Sequence, residues 1–447
     1  MVDTHMHRTL SARDDLVLAI DIGTSYLKVA VYDGALNVVH ESRVPTQQAV
    51  PSREGELNAN RLWHSMQAQI AAVGAHVDLQ RVAAVSIAGM AESGCLIDAN
   101  DQPITPMLLW HDRRGIRQAA ALRKQAGADF ARISGLRTTN VRSISKWKWM
   151  VDHGASREAR WCGAPEWIAL RLTGRWQTDA TLAVRTGAFD VLRGKFSGEL
   201  LDLAGAPPGL FPPVHGSPAQ LGNLLPEVAR ELGLPTDVQV IIAGHDDIAA
   251  AYGAGGAQGD LIDSGGTAEG LVRIVDTAPK PSDTVKARMA MTQYYTPDTW
   301  ALIAGAGSTG ALMNQVASLL GTDLGELDAR AAPAGKYAAG TLEVKLSKES
   351  LPEVKVARSA RAPEVWSAVL DLVCDRVAET ARRLERIAGP PSRLVLIGGA
   401  ARSGELVKRK SERLGLPAVV MPHIDATTRG AAALARLPFG RDRPLTG

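Results

Sequence analysis

Apolar runs of strand length open the chain on either side of a short polar turn. Leu16 to Ile20 and Leu27 to Tyr32 are such runs, and Gly23-Thr24 lies between them. Two β-rich runs around a glycine-containing turn predict a hairpin. From Leu57 to Val73 the apolar positions recur at helical spacing, and Val82 to Ala88 is another buried-strand run. This pattern predicts a sheet with a helix packed on it.

The same order of elements returns in the second half of the chain. Asp260 to Asp263 runs into Gly265-Gly266-Thr267, and an apolar stretch from Gly270 to Val275 follows. The recurrence of strand, Gly-Thr turn and strand predicts two related lobes, each beginning with a turn of a size suited to a phosphate. Between them, residues 117–232 are more helical in pattern, and Val238 to Ala243 is a strand.

The last third of the chain has the clearest α/β pattern. Glu364 to Ile387 is an amphipathic helix, Leu394 to Ile397 a short buried strand, Gly398 to Ala401 a tight turn and Glu405 to Leu414 another helix. A strand, a glycine-rich turn and a helix in this order form one side of a nucleotide-type crevice.

Composition narrows the classes of function. The 447 residues carry 50 Lys and Arg against 47 Asp and Glu, which argues against a dedicated nucleic-acid binder. At roughly 100–200 residues per domain, the length predicts two or three domains. Glycine is in excess, since 43 of the 447 residues, roughly a tenth, are glycine, against about 7% in average usage. Either the loops are tight, or the backbone comes close to another group.

Targeting signals are not evident in the sequence. Cys95, Cys162 and Cys374 lie far apart, so we expect neither a disulfide framework nor a structural zinc site. No run reaches the roughly 18 apolar residues of a transmembrane helix. Residues 1–15 are polar and lack the apolar region of a signal peptide. We therefore expect a cytoplasmic protein with a polar N-terminal tail and no membrane segment.

The first turn combines residues that suit a phosphate and its metal ion. In Asp21-x-Gly23-Thr24-Ser25-x-x-Lys28, glycine lets backbone N–H groups approach an anion, and the hydroxyls and the ammonium add donors. A carboxylate at the end of a buried strand can hold a hydrated Mg²⁺. An ordinary hairpin with a polar turn is the alternative, and the second such turn near Gly266 weighs against it.

Asp246 and Asp247 follow a strand and a glycine. Neighbouring residues on a helix point about 100° apart, so one of the two at most is expected to reach a given substrate atom. An aspartate at the end of a strand is well placed as a general base. It is also a favoured helix N-cap, and the local sequence by itself favours the cap. We expect His245 to be a structural histidine.

Three further side chains suggest a polyhydroxylated ligand. Glu92 interrupts a buried-strand pattern, where an unpaired carboxylate costs several kcal/mol. Trp110 and Asp112 follow another apolar run, and aromatic and acidic side chains are natural partners of a sugar. A surface salt bridge explains the acidic residue nearly as well.

In this order, these pieces resemble the FGGY family of carbohydrate kinases, within the actin/hexokinase/Hsp70-like ATPase fold. The resemblance runs from about Leu16 to Leu434, and eight motifs in the expected order carry it. They are Ala19 to Ser25, Gly55-Glu56-Leu57 with Trp63, Leu109 to Arg114, Arg171 to Gly174 with Thr178-Asp179, Gly244-His245-Asp246, Gly265-Gly266-Thr267, Leu396 to Ser403 and Gly430-Ala431-Ala432.

The resemblance implies a two-lobed α/β fold with ribonuclease H-like lobes. Residues 16–245 would form the N-terminal lobe, which binds sugar and phosphate, and residues 246–447 the C-terminal lobe, which binds the nucleotide. The cofactors would be ATP and Mg²⁺, and the partners a small sugar or polyol, with no nucleic acid or membrane. A homodimer is a candidate assembly that the sequence does not decide.

The resemblance also assigns roles to single residues. Asp246 matches the family's catalytic base, which overrides the local preference for a cap, and with Asp21 it would lie at the metal. The nucleotide and its phosphates would be held by Gly23, Thr24, Ser25, Lys28, Gly266, Thr267, Gly307, Gly399, Ala400 and Ser403. The substrate side would consist of Glu92, Trp110, Asp112 and Asp246.

Some positions depart from the family pattern, and these concern the substrate. Met90 and Ala91 precede Glu92 where an arginine clamps glycerol-like substrates, and Ala311 replaces a common Lys or Gln. We therefore expect a ketopentose such as xylulose or ribulose as acceptor. Glycerol kinase is the alternative within the family, and a nucleotide-dependent switch of the same fold is the alternative outside the sugar kinases.

Overall fold

The computed structural model describes residues 15–266, 268–296, 298–345, 353–421 and 425–437. The tail predicted for residues 1–15 lies outside these ranges except for Asp15, and the predicted phosphate contact of Thr267 lies outside them as well. Within the described ranges, no helix combines the length and the apolar character needed to cross a membrane.

The first half of the chain builds a six-stranded sheet, a four-stranded sheet and a two-stranded sheet, with helices around them. Its strands are β1 (Leu16–Ile22), β2 (Tyr26–Tyr32), β3 (Val38–Pro45), β4 (Glu56–Leu57), β5 (Val82–Gly89), β6 (Gly94–Ile97), β7 (Met107–Leu108), β8 (Arg160–Gly163), β9 (Phe189–Asp190), β10 (Lys195–Phe196), β11 (Ala219–Asn223) and β12 (Gln239–His245). Its helices are α1 (Thr46–Ala49), α2 (Ala59–Gly74), α3 (Ile116–Ala126), α4 (Asp129–Ser134), α5 (Ser143–Asp152), α6 (Ala164–Thr173), α7 (Ala180–Arg185), α8 (Gly198–Ala204) and α9 (Pro226–Leu232).

The predicted hairpin forms the centre of the first sheet, whose strand order is β11-β12-β5-β1-β2-β3. β1 pairs antiparallel with β2, which places Asp21 opposite Lys28. All seven residues of β1 are buried, as expected for a central strand covered on both faces. β5 and β12 run parallel to β1, so the carboxyl ends of these three strands meet at one edge of the sheet.

The second half of the chain repeats this plan. Its strands are β13 (Asp260–Gly265), β14 (Glu269–Val275), β15 (Ala290–Gln293), β16 (Trp300–Gly307), β17 (Leu342–Lys345), β18 (Glu353–Val356), β19 (Arg393–Ile397) and β20 (Ala418–Val420). Its helices are α10 (Asp246–Gly253), α11 (Pro281–Lys286), α12 (Thr309–Leu320), α13 (Leu324–Ala329), α14 (Ala362–Ala388), α15 (Gly404–Leu414) and α16 (Ala426–Leu434).

The second sheet has the order β15-β16-β14-β13-β19-β20. As in the first sheet, an antiparallel hairpin is extended by a third antiparallel strand on one side and by parallel strands on the other. The repeated strand-turn-strand pattern of the sequence therefore corresponds to two sheets that share the order of five strands. The sixth strand differs, because β11 pairs with β12 in the first sheet and β15 pairs with β16 in the second.

Two helices lie between the sheets. α10 follows β12 directly, and α16 comes from the end of the described chain. Their apolar residues share one hydrophobic core with β1, β5 and β12 of the first sheet and with β13, β14 and β19 of the second. The N-terminal ends of these helices carry Asp246 and Asp425, and both side chains belong to the site described below.

Candidate functional site

The first turn carries a buried carboxylate paired with a lysine. Lys28 Nζ donates to Asp21 Oδ2 at 2.9 Å and also to the carboxylate of Asp425, which caps α16. Burial raises the pKa of Asp21 to about 6, against the opposing effect of the Lys28 ammonium. Lys28 is thus fixed between two carboxylates, one from each end of the described chain.

The rest of this turn faces outward. A Cβ on Gly23 would lie 2.8 Å from the carbonyl oxygen of Tyr26, so only glycine fits there without a shift. Thr24 and Ser25 are exposed at the tip. Thr24 Oγ1 accepts a hydrogen bond of 2.8 Å from the indole N–H of Trp110. The predicted phosphate turn and the predicted substrate side therefore meet directly.

Asp246 is the first residue of α10, and His245 is the N-cap, so the side chain of Asp246 does not cap this helix. Its Oδ1 accepts the N–H of Asp247 at 2.9 Å. Burial raises the pKa of Asp246 well above its usual value, and the negative charges of Asp247, Asp21 and Glu92 raise it further. Asp246 thus lies within electrostatic range of Asp21, the carboxylate predicted for the metal, and of Glu92, the carboxylate predicted for the substrate.

His245 lies beneath this carboxylate. Its Nε2 is 3.2 Å from Asp246 Oδ1, and burial lowers the pKa of His245 to about 4. The lowered pKa favours the neutral form of the imidazole beside the Asp246 carboxylate. One potential ligand atom from each of His245, Asp246 and Asp247 lies within 4.8 Å of the other two, a spacing that suits a cation.

Glu92 pairs with two guanidinium groups from distant parts of the chain. Arg185 Nη2 lies 2.8 Å from Glu92 Oε1, and Arg142 Nη1 donates to the same oxygen. Burial would raise the pKa of Glu92, but the two arginines outweigh burial and hold this pKa below its usual value. Positions 90 and 91 carry no guanidinium, and the two that pair with Glu92 come from helix α7 and from the residue before α5.

Sequence reasoning missed both arginines and a buried lysine. Lys146 of α5 is fully buried, and its Nζ donates to the carbonyl oxygens of Val141 at 2.6 Å and Trp110 at 3.2 Å. Burial lowers the pKa of Lys146 to about 7. Nothing in the local pattern separates Arg142, Lys146 or Arg185 from solvent-facing cations, because their partners lie on other elements.

Asp112 is held within the scaffold. Arg114 donates to both of its carboxylate oxygens, at 2.9 and 2.8 Å, and also binds Glu56. Gly55 has a φ of +76°, and a Cβ there would collide with the Asp112 carboxylate. The motifs around residues 55 and 112 thus fit together, and the substrate contact of Asp112 stays a prediction.

A cavity of about 580 Å³ lies between the turns at Gly265-Gly266 and Gly399-Ala400 and the helices α12, α13 and α14. Most of its lining comes from the second half of the chain, and Tyr26 contributes from the first. The predicted nucleotide residues that line it are Gly266, Gly399, Ala400 and Ser403. Gly307 ends β16 opposite Glu269, three residues before Gly310 of the lining.

Close packing explains the glycines at this cavity. A Cβ on Gly265 would lie 2.5 Å from Ala400 Cβ, and a Cβ on Gly398 would lie 2.7 Å from the carbonyl oxygen of Gly265. Gly398 also has a φ of +84°, which favours glycine. The turn at Gly265 and the turn at Gly398 can therefore touch only because both positions are glycine. Together the two turns form one wall of the cavity.

Comparisons with known proteins place this geometry in context. A model of the FGGY family of carbohydrate kinases, N-terminal domain, matches residues 16–253. An L-fuculokinase from Salmonella typhi is 25% identical over 94% of this chain and 92% of its own length. A glycerol kinase from Methylibium petroleiphilum is 28% identical over 95% of this chain and 91% of its own length.

The crystal structure of a xylulose kinase from Rhodospirillum rubrum superposes with a TM-score of 0.84. It has 25% sequence identity and covers 96% of this chain and 91% of the other. The two-lobed fold of the actin/hexokinase type predicted from the sequence is therefore confirmed.

Proposed function

The chain belongs to the FGGY family of carbohydrate kinases, and from this premise we propose that it transfers phosphate from ATP to a ketopentose, with Asp246 as the general base. The premise makes the protein a phosphotransferase that acts on a hydroxyl of a sugar or polyol. The ketopentose, of which xylulose and ribulose are examples, and the role of each residue are the proposal.

The observation that carries the proposal is the position of Asp246. It stands at the carboxyl edge of the first sheet, where open α/β sheets bind their ligands, and 30% of its side chain is exposed. Asp247 instead lies beside Gly270 of β14, with its carboxylate oxygens 3.8 Å from where a Cβ of that residue would stand. Both aspartates are half-buried, and Asp247 faces β14 of the second sheet, so we assign the base to Asp246.

In this proposal the protein accelerates transfer by positioning and by charge. Asp246 accepts the proton of the acceptor hydroxyl as that oxygen attacks the γ-phosphorus, and general-base assistance is worth about 10²–10⁴-fold. Lys28 and the turn at Gly23 to Ser25 would bind phosphate oxygens. Closure of the two lobes, residues 16–245 and 246–447, would exclude water that competes with the acceptor.

The residues at the first turn fit a magnesium ion. Asp21 Oδ1 is buried and has no hydrogen-bond partner among the described residues, so it is an acceptor that a cation would satisfy. Mg²⁺ prefers carboxylate and water oxygens, and Asp21 with Asp246 would hold it. When bound, the ion would neutralise charge on the phosphates.

The acceptor would lie between Glu92 and Trp110. A carboxylate with a lowered pKa stays ionised and accepts hydrogen bonds from sugar hydroxyls, while the half-exposed indole offers an apolar face. Arg142 and Arg185 pair with Glu92 and fix its orientation. In glycerol-like members of the family the arginine instead directly precedes this position in the chain. The difference supports a ketopentose over glycerol.

We expect Asp246→Asn to lower kcat about 10²–10⁴-fold with xylulose, ribulose, fuculose or glycerol as acceptor, because an amide cannot take the proton. ADP release in a coupled assay measures this. Asp152→Asn is the matched control, since Asp152 is a surface partner of Lys148 far from the site. Wild-type turnover in Asp246→Asn would refute the base, and highest kcat/KM with glycerol would refute the ketopentose.

A further inference from the structure

A buried pair of polar side chains stands behind the strand that leads to Asp246. Asp179 caps α7 by accepting the N–H of Leu182 at 3.0 Å, and neither Asp179 nor Thr181 is exposed. Thr181 Oγ1 donates to Asp179 Oδ1 at 2.5 Å. Ser217 Oγ donates to the other oxygen, Asp179 Oδ2, at 2.5 Å.

The same threonine holds the backbone immediately before Asp246. Thr181 Oγ1 accepts the backbone N–H of His245 at 2.8 Å. This single hydroxyl therefore links the cap of α7 to the last residue of β12. Both carboxylate oxygens of Asp179 accept hydrogen bonds, one from Thr181 and one from Ser217. The Thr181 hydroxyl therefore donates to Asp179 and accepts from His245.

The backbone at this point needs such support. The pairing of β12 with β5 shifts register between Ile242 and Gly244, and Gly244 has a φ of +111°. A Cβ on Gly244 would overlap Thr181 Oγ1 and would lie 2.7 Å from Asp179 Oδ1. The irregular backbone is thus pressed against the pair, and the hydroxyl replaces part of the regular ladder bonding that the register shift removes.

We propose that Thr181, oriented by Asp179, is a positioning residue of the phosphoryl transfer. It fixes the strand end that carries Asp246, and so it fixes the distance from that carboxylate to the acceptor hydroxyl. The inference rests on the proposed role of Asp246, but it concerns residues that touch neither substrate nor nucleotide. A misplacement of about 1 Å can cost about 10²-fold in rate, so a single backbone bond here has catalytic consequences.

The test removes the hydroxyl and keeps the volume. We expect Thr181→Val to lower kcat about 10–100-fold, measured with whichever of xylulose, ribulose, fuculose and glycerol the wild type turns over fastest. The KM for ATP should stay unchanged, since the nucleotide cavity is lined by other elements. Thr181→Ser keeps the hydroxyl and should restore most of the activity.

The matched control is Thr173→Val. Thr173 is also buried and also accepts a backbone N–H, at 3.1 Å, but its hydroxyl donates to a carbonyl oxygen, at 2.8 Å, and it lies at the end of α6. Both valine variants should lower the midpoint of urea unfolding to a similar degree. A fall in kcat in Thr181→Val and not in Thr173→Val supports positioning, whereas equal kcat values in the two variants overturn it.

Two further variants keep the outcome decisive. If Thr181→Val does not fold, Ser217→Ala is the substitute. Ser217 is half-buried, and its loss removes the hydrogen bond that holds Asp179 Oδ2, and with it part of the support that orients Thr181. Wild-type kcat in that variant overturns the inference. Asp246→Asn, assayed in parallel, separates this inference from the proposed function. Loss of activity in Asp246→Asn with full activity in Thr181→Val refutes positioning alone, and full activity in Asp246→Asn refutes the base itself.

Discussion

At the scale of single residues, several ionisable side chains in this protein lie in the core with few charged neighbours. Glu166 of α6 is an example outside the candidate site. It accepts a hydrogen bond of 2.6 Å from Thr178 Oγ1 and stands against Gly163, where a Cβ would collide with its carboxylate. Burial raises the pKa of Glu166 to about 7, although the Thr178 hydroxyl opposes this. Protonation of this carboxyl is therefore coupled to folding.

The pH dependence of stability follows from the sign of this shift. Because the pKa of Glu166 is higher in the folded chain than its unfolded value near 4.5, its contribution is fully present below that value. It is lost as the pH rises through about 7, by up to about 1.4 kcal/mol per pH unit. Glu166→Gln should remove this component, so the variant should lose less stability than the wild type between pH 5 and pH 8.

Urea unfolding at the two pH values measures this difference. Glu199→Gln is a suitable control, because the Glu199 carboxylate is half exposed and only 3.5 Å from a likewise exposed Arg132. Identical pH dependence in wild type and Glu166→Gln would show that the carboxyl titrates normally in the folded protein.

At the scale of secondary-structure elements, the crossing of α10 and α16 determines where Asp246 and Asp425 stand. The helices touch backbone to backbone at Gly253 and Gly430. A Cβ on Gly430 would collide with the carbonyl oxygen of Ala249, and one on Gly253 would collide with that of Ala426. Small residues at the crossing let both helices fit between the two sheets.

We expect Gly430→Ala to destabilise the protein by about 1–3 kcal/mol, because the methyl group must displace backbone that cannot rotate away. Urea unfolding measures the loss. Gly198→Ala is the matched control at a helical glycine with no heavy atom within 4 Å of its added Cβ, and it should be neutral or slightly stabilising. An unchanged midpoint for Gly430→Ala would mean that the helices can separate at little cost.

At the scale of the whole molecule, the cavity proposed to bind the nucleotide is lined by both halves of the chain. Tyr26 at the start of β2 faces glycines of the second sheet across it. The ring is 37% exposed, and the guanidinium of Arg43 stacks 4.9 Å from its centre. Tyr26 therefore contributes little to the core, and in the proposed function it would contact the nucleotide.

Truncation of this side chain should affect nucleotide binding more than folding. We expect Tyr26→Ala to raise the KM for ATP about tenfold, equivalent to about 1.4 kcal/mol, with the KM for the acceptor unchanged. Steady-state kinetics with each substrate varied in turn measures this. Val39→Ala, an exposed position on the neighbouring β3, should leave both constants unchanged. Equal KM values for ATP in Tyr26→Ala and wild type would exclude the contact.

Much of the fold was predictable because local patterns specify it. The hairpin at residues 16–32 and its counterpart near residue 266 follow from apolar runs around glycine turns, and the long helix predicted from 364 to 387 is α14. The strand predicted at 238–243 continues to His245, and the helix after it begins at Asp246 rather than near Ile248. The register shift at Gly244 moves this boundary, and only the pairing with β5 reveals it.

The glycine excess shows how far composition leads. It predicted tight turns or close approach of the backbone, and both occur. Gly265 and Gly398 let two turns touch at the nucleotide cavity. Gly253 and Gly430 have a different role, in the helix crossing, which neither composition nor spacing indicated. The number of glycines was informative, but the role of each glycine depends on which group its missing Cβ would touch, and only the structure shows that group.

The sequence by itself determined the elements, their repetition in two halves and the turns at which chemistry is expected, because these depend on residues a few positions apart. The tertiary structure alone decided which charged and polar groups meet. Glu92 reaches Arg142 across 50 positions, Lys28 reaches Asp425 across 397, and Thr181 reaches His245 across 64. Such partners are selected by strand register and helix packing, which integrate contacts over the whole chain, so no local pattern can specify them.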